Sequence, residues 1–172
     1  GSGPIKLLDT EGREVADGEV GELYSCTPYV FDGYWKNPEK TAESFRGAWC
    51  SVGDMARRGP GGYIHLVDRK SNMIITGGEN VYPSEVEGVL GAHPAVRDVA
   101  VIGVPDEKWG ETPCAFVELK PGKTATADEL IAWCKTHLAS YKCPRHIVFT
   151  DLPKTSTGKI QKFVLRERAK EA

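Results

Sequence analysis

The sequence predicts an α+β protein in two parts: a β-rich segment over residues 1–68 and a small α+β segment over residues 69–172, joined by a hinge. Three observations predict it. Up to residue 68, short apolar runs are separated by glycine and proline turns, the texture of antiparallel strands. From Pro83 onward, β-branched runs alternate with amphipathic segments that carry helix start signals. Between them, Val67 to Pro83 leaves one apolar run, crosses Asp68-Arg69-Lys70-Ser71-Asn72, enters Met73-Ile74-Ile75, then meets Gly77-Gly78 and Pro83. That order reads as a strand, a polar swivel, a second strand with a tight glycine bend, and a helix start. On pattern alone, an ordinary β-hairpin between two subdomains accounts for it equally well.

The elements follow in order. Ile5-Lys6-Leu7-Leu8 is a short strand and Asp9 to Gly12 a turn; Gly18 and Gly21 bracket a bend before the alternating strand Glu22 to Cys26. Asn37 and Pro38 make an N-cap and first residue for a short helix from Pro38 to Phe45. Trp49 to Ala56 and Tyr63 to Val67 form a hairpin around Gly59-Pro60-Gly61-Gly62. No helix start follows those glycines, so they are not a phosphate loop. Pro83 to Leu90 is a helix with Val86, Val89 and Leu90 inward, Glu85 and Glu87 outward, and Gly91 as its stop. Val96 to Val104 and Thr112 to Leu119 are partner strands. Thr126 to Glu129 is a capping box opening a helix with Leu130, Ile131, Cys134 and Leu138 on its apolar face. A strand over His146 to Phe149 and a final helix carrying Val164 and Leu165 complete the chain.

Composition narrows the function. The chain has 172 residues, 40% hydrophobic and 27% charged, so a packed core is expected. A net charge of −2 gives no footprint for nucleic acid or anionic membranes. No apolar run is long enough for a transmembrane segment, and the start lacks a signal-peptide layout; Gly1-Ser2 reads as a cloning scar. The five cysteines are odd in number and form no CxxC pair, which argues against a disulfide framework and a metal site, so the expected location is cytoplasmic.

Four stretches then stand out together: Gly53-Asp54, Asp68-Arg69-Lys70, Gly77-Gly78-Glu79-Asn80-Val81-Tyr82-Pro83, and Pro153-Lys154-Thr155-Ser156-Thr157-Gly158-Lys159. With the Tyr34-Trp35-Lys36-Asn37-Pro38 and Val104-Pro105-Asp106-Glu107-Lys108-Trp109-Gly110 runs, their order and spacing resemble the C-terminal portion of the adenylate-forming superfamily, which includes acyl-CoA synthetases. The resemblance covers nearly the whole chain from Ile5. It implies the last, distorted barrel-like β subdomain of a large N-terminal domain, followed by a mobile C-terminal domain.

The resemblance also implies a two-step ligase. ATP and a carboxylic acid give an acyl-adenylate, and CoA then displaces AMP. Lys159 resembles the catalytic lysine, a cation suited to the meeting of two anions. It is not a Walker lysine, because Ile160 follows where Ser or Thr is needed. Asp54 resembles the aspartate that accepts both ribose hydroxyls of ATP, and Arg69 the arginine at ribose and phosphate. The hinge falls at Lys70 or Ser71; family members usually carry Asp or Lys at the latter position. Gly77 and Gly78 resemble the loop along the pantetheine arm of CoA, Trp109 a residue flanking its nucleotide, and Lys142 a basic residue near its phosphates. These residue types also serve structural ends: a turn aspartate, a surface ion pair, a half-buried tryptophan, a solvated lysine. Mg2+ is expected to accompany ATP with ligands outside this chain. The rest of the N-terminal domain, with the phosphate loop and the acyl pocket, is the expected partner, and the chain alone is expected to be inactive. Two alternatives remain: an adenylation domain loading a carrier-protein pantetheine, and a non-catalytic binding module of the same fold. Neither the acid nor the oligomeric state is encoded in any motif.

Overall fold

The computed structural model describes residues 5–26, 45–46 and 49–171. The Tyr34 to Pro38 run and the helix expected from Pro38 lie outside the described residues. Phe45, expected to end that helix, instead forms a two-residue strand with Arg46. The chain divides into two compact units, Gly1–Ser71 and Asn72–Ala172.

The first unit is a five-stranded sheet. Its strands are β1 (Ile5–Leu8), β2 (Val20–Ser25), β3 (Phe45–Arg46), β4 (Trp49–Arg58) and β5 (Ile64–Arg69). The order is β1-β2-β4-β3, with β5 also pairing β4, and every pairing is antiparallel. Gly21 does not bracket a bend. It lies within β2, where a Cβ would come within 3.1 Å of the Leu7 and Leu8 backbone, so the residue is small because two strands pack closely there. A 3-10 turn over Pro60–Gly62 joins β4 to β5, the expected hairpin.

The second unit begins at Asn72, the last residue of a 3-10 turn over Lys70–Asn72 that straddles the division between units. It continues through β6 (Ile74–Thr76), β7 (Glu79–Val81), α1 (Pro83–Gly91), β8 (Val96–Asp106), β9 (Gly110–Leu119), α2 (Ala127–Lys135), β10 (His146–Phe149) and α3 (Lys162–Lys170). β8 and β9 form a long antiparallel hairpin, and β10 pairs β9 in parallel. Alternation along these strands divides the core. Val99, Val101, Ala115 and Val117 face α1 and α2 through Val86, Leu90, Leu130 and Cys134. Ala100, Ile102, Cys114 and Phe116 meet Leu152 and Leu165 of the final segment on the other face. The layers are held by apolar burial, about 1.5–3 kcal/mol for each large side chain.

Local signals set the ends of the helices. Pro83 occupies the first turn of α1. Thr126 accepts the Glu129 N–H at 3.1 Å, and the Glu129 carboxylate accepts the Thr126 N–H at 3.4 Å, completing the capping box of α2. Gly91 is the last residue of α1 rather than its stop, and Ala92 caps it. Glu87 does not point into solvent: its Oε2 accepts the Val101 N–H at 2.9 Å and pairs with Lys162 Nζ at 2.9 Å. An edge-strand N–H without a ladder partner needs an acceptor, and Glu87 supplies it.

Candidate functional site

In the first unit, register brings Asp54 and Arg69 together. They are directly opposed across β4 and β5, with Arg69 Nε 3.4 Å from Asp54 Oδ1. Gly53, at φ +80°, turns the strand just before Asp54, and its N–H donates to Ser51 Oγ at 3.2 Å. Arg69 remains 69% exposed, so its guanidinium has donors to spare beyond Asp54. Glu22 braces the same region: it accepts the Ser51 hydroxyl and pairs with Lys70 Nζ at 3.0 Å. Of the two hinge candidates, Lys70 is therefore tied to β2. Ser71 is exposed, and its side chain makes no hydrogen bond among the described residues.

In the second unit, Lys159 stands at the tip of a small hairpin. Lys154 and Ile160 form an antiparallel bridge. Inside it, the Thr155 N–H donates to the Lys159 carbonyl at 2.8 Å, the Lys159 N–H to Thr155 Oγ1 at 3.2 Å, and the Gly158 N–H to the Thr155 carbonyl at 2.9 Å. Gly158 takes φ +87°, the left-handed turn that places Lys159. Three lysines lie in this segment, and they differ. Lys154 pairs with Asp98 at 3.4 Å and Glu118 at 3.6 Å, and Lys162 pairs with Glu87 at 2.9 Å. Lys159 is exposed and has no acidic partner among the described residues.

A third group forms around Trp109. Gly77 and Gly78, at φ +55° and +82°, make the two-residue turn between β6 and β7, where both central residues need positive φ. The Gly77 N–H donates to the Trp109 carbonyl at 2.9 Å, and a Cβ on Gly77 would sit 2.8 Å from the indole Cε3. The ring thus lies directly against the glycine turn. Asp106 Oδ1 accepts the N–H groups of Lys108 and Trp109, each at 2.8 Å. Two cations flank the indole, Lys108 Nζ at 4.8 Å and the Arg145 guanidinium at 5.2 Å from its centroid.

Lys142 does not join this group. It pairs with Glu85 at 3.1 Å and is 25% exposed. Arg145 was missed because the sequence places both residues in one basic run; only the turn over Ser140–Lys142 separates their directions. A cavity of about 950 Å³ in the unit is lined by Val104, Gly110, Phe116, Ile147, Arg166 and neighbours; none of the candidate residues lines it, though Gly110 adjoins Trp109. No group of three or more His, Cys, Asp or Glu side chains among the described residues is placed to hold a metal ion. No helix among them is long and apolar enough to cross a membrane.

These features have counterparts in known proteins. Residues 85–159 match the AMP-binding enzyme C-terminal domain. The chain is 48% identical over 165 residues to a feruloyl-CoA synthase of Amycolatopsis, covering 95% of this chain and 34% of that protein. It is 48% identical over 175 residues to an acetate–CoA ligase of Humulus lupulus, covering 97% and 31%. The crystal structure of ATP-bound MatB from Rhodopseudomonas palustris superimposes with a TM-score of 0.88 at 37% identity, over 99% of this chain and 35% of that one. The fold and motifs define an adenylate-forming architecture, and the chain belongs to that superfamily as its C-terminal portion. It spans about a third of the length of the curated relatives it matches.

Proposed function

We propose that the chain is the C-terminal part of an ATP-dependent acid–CoA ligase, in which Lys159 stabilises acyl-adenylate formation. A carboxylate oxygen attacks the α-phosphorus and pyrophosphate leaves; the CoA thiolate then attacks the acyl carbonyl and AMP leaves. In the first step two anions converge, and a preorganised ammonium lowers the barrier by meeting both. The observation that carries this role is the contrast among three neighbouring lysines: two are neutralised by carboxylates, while Lys159, on a hydrogen-bonded hairpin, has no acidic partner among the described residues.

Asp54 accepts the ribose hydroxyls of ATP, and Arg69, fixed opposite it, reaches ribose and phosphate. Ser71 is the pivot, because Lys70 is held by Glu22 on one side and the second unit begins on the other. Gly77 and Gly78 lie along the pantetheine arm. Trp109 faces the nucleotide of CoA with Arg145 beside it; Lys142, paired with Glu85, is not part of this group. An aromatic face with a cation suits an adenine and its phosphates better than the surface of a carrier protein, which favours CoA as the thiol. The relatives, a feruloyl-CoA synthase and an acetate–CoA ligase, support the same reaction class and leave the acid of this protein open. The chain alone does not turn over, and its partner is the N-terminal domain.

The test measures two half-reactions in the intact ligase, ATP–pyrophosphate exchange and thioester formation from presynthesised acyl-adenylate. Lys159→Ala should lower the first by about 10²–10³-fold and leave the second within a few fold. An equal loss in both would remove the assigned role.

A further inference from the structure

We infer that Glu118 is a positioning residue for the Lys159 ammonium, an inference that rests on the role of Lys159 proposed above. Glu118 lies near the end of β9, beside a bulge in β8 between Val96 and Asp98. Its carboxylate is 14% exposed and meets three donors. Oε1 accepts the Leu152 N–H at 3.1 Å; Oε2 lies 3.4 Å from Arg97 Nε and 3.6 Å from Lys154 Nζ. The Leu152 N–H, with Lys154 and Arg97, holds its carboxyl below the usual carboxylate range, so the group is charged at neutral pH.

Only two rungs separate Glu118 from Lys159. Leu152 and Lys154, the residues Glu118 grips, form the entry to the hairpin. Lys154 bridges Ile160, and Thr155 is bonded to Lys159 in both directions. At the exit, Lys162 is held by Glu87 and the chain continues into α3, whose Leu165 is buried. The entry is seated by Leu152, which is buried in the same cluster as Leu165 of α3. Glu118 is its side-chain anchor on both Leu152 and Lys154, beside the Gln161 N–H that donates to the Pro153 carbonyl at 2.8 Å, and Asp98 reinforces Lys154 at 3.4 Å. A long, exposed lysine gains catalytic force only if the backbone beneath it is fixed, because a misplacement of about 1 Å costs on the order of 10²-fold.

The test uses the intact ligase with Glu118→Ala, Glu118→Gln, Lys154→Met and Lys159→Ala, measuring the two half-reactions and the KM for ATP. Glu118→Ala should slow adenylate formation by about 10–10²-fold, with KM for ATP and the thioester step each within about twofold of wild type. Glu118→Gln, which keeps an acceptor for Leu152, should lose less. Lys154→Met, which spares that hydrogen bond, should resemble it and carries the test if Glu118→Ala does not fold. Adenylation at the wild-type rate in Glu118→Ala, beside a collapse in Lys159→Ala, would overturn the inference alone. A parallel fall of both half-reactions in Glu118→Gln and Lys154→Met would overturn it too, by reducing Glu118 to support of the fold. Unchanged adenylation in Lys159→Ala would instead remove the role of Lys159 on which the inference stands.

Discussion

Replacing Gly77 by alanine should cost markedly more than the same change at Gly78, although the two are adjacent in one turn. Both have positive φ, +55° and +82°, so each alanine is held in a left-handed conformation at roughly 1–2 kcal/mol. At Gly78 nothing lies within 4 Å of the new Cβ, and the cost stops there. At Gly77 the Cβ meets Trp109 Cε3 at 2.8 Å, well inside the separation of about 3.5–4.0 Å at which carbons attract. The indole has to move, and its ring is held from behind by the Gly77–Trp109 backbone bond and the Asp106 cap. Overpacking of this kind adds about 1–3 kcal/mol, giving roughly 2–5 kcal/mol for Gly77→Ala. Urea unfolding followed by circular dichroism measures both variants, and a cycle with Trp109→Ala isolates the steric part, which should disappear when the ring is absent. Equal costs at the two glycines, or a coupling to Trp109 below about 0.5 kcal/mol, would refute the reasoning.

Two further outcomes follow from local features. Thr126→Ala removes the side-chain acceptor of the capping box and should destabilise the second unit by about 1 kcal/mol, read as a fall in Tm of about 4–8 °C by calorimetry. Glu118 has a folded-state pKa below its ordinary value of 4.5, so its stabilising contribution is complete above that value and fades as pH falls through the lower folded one. The stability curves of the wild-type chain and Glu118→Gln should therefore separate at neutral pH and converge as pH falls through the lowered folded-state value, measured by urea midpoints.

The sequence made the local features legible. Val67 to Pro83 folds with the strand, polar turn, second strand, glycine turn and helix start that its residues announce, because each is dictated by neighbours in the chain; the short strand Glu79–Val81 is not legible in them. The capping box and β10 stand where their residues placed them for the same reason. What escaped depends on partners distant in the chain. Glu87 looked solvent-facing because helical periodicity cannot know that an edge N–H of β8 lies beside it. Gly21 looked like a bend because its need for smallness comes from β1. β8 and β9 extend past Val104 and before Thr112 because Pro105 pairs with Glu111, and a proline in an apolar run reads as an end until its partner is known. In the candidate site, the opposition of Asp54 and Arg69 is a matter of strand register. Arg145 beside Trp109 is a matter of tertiary placement, which no spacing in the chain announces.

The cysteines of the second unit bear on the hazard of the proposed chemistry. A mixed anhydride of a carboxylic acid and AMP acylates any sulfur anion it meets, the protein's own included. Burial pushes the Cys114 thiol up to about 11 and Cys134 to about 12, and raises Cys143 as well. At neutral pH roughly one Cys114 in ten thousand is ionised, and Cys134 less often still. These three sulfurs fill the core as ordinary hydrophobes, so in the proposed reaction they would stay silent towards the electrophile.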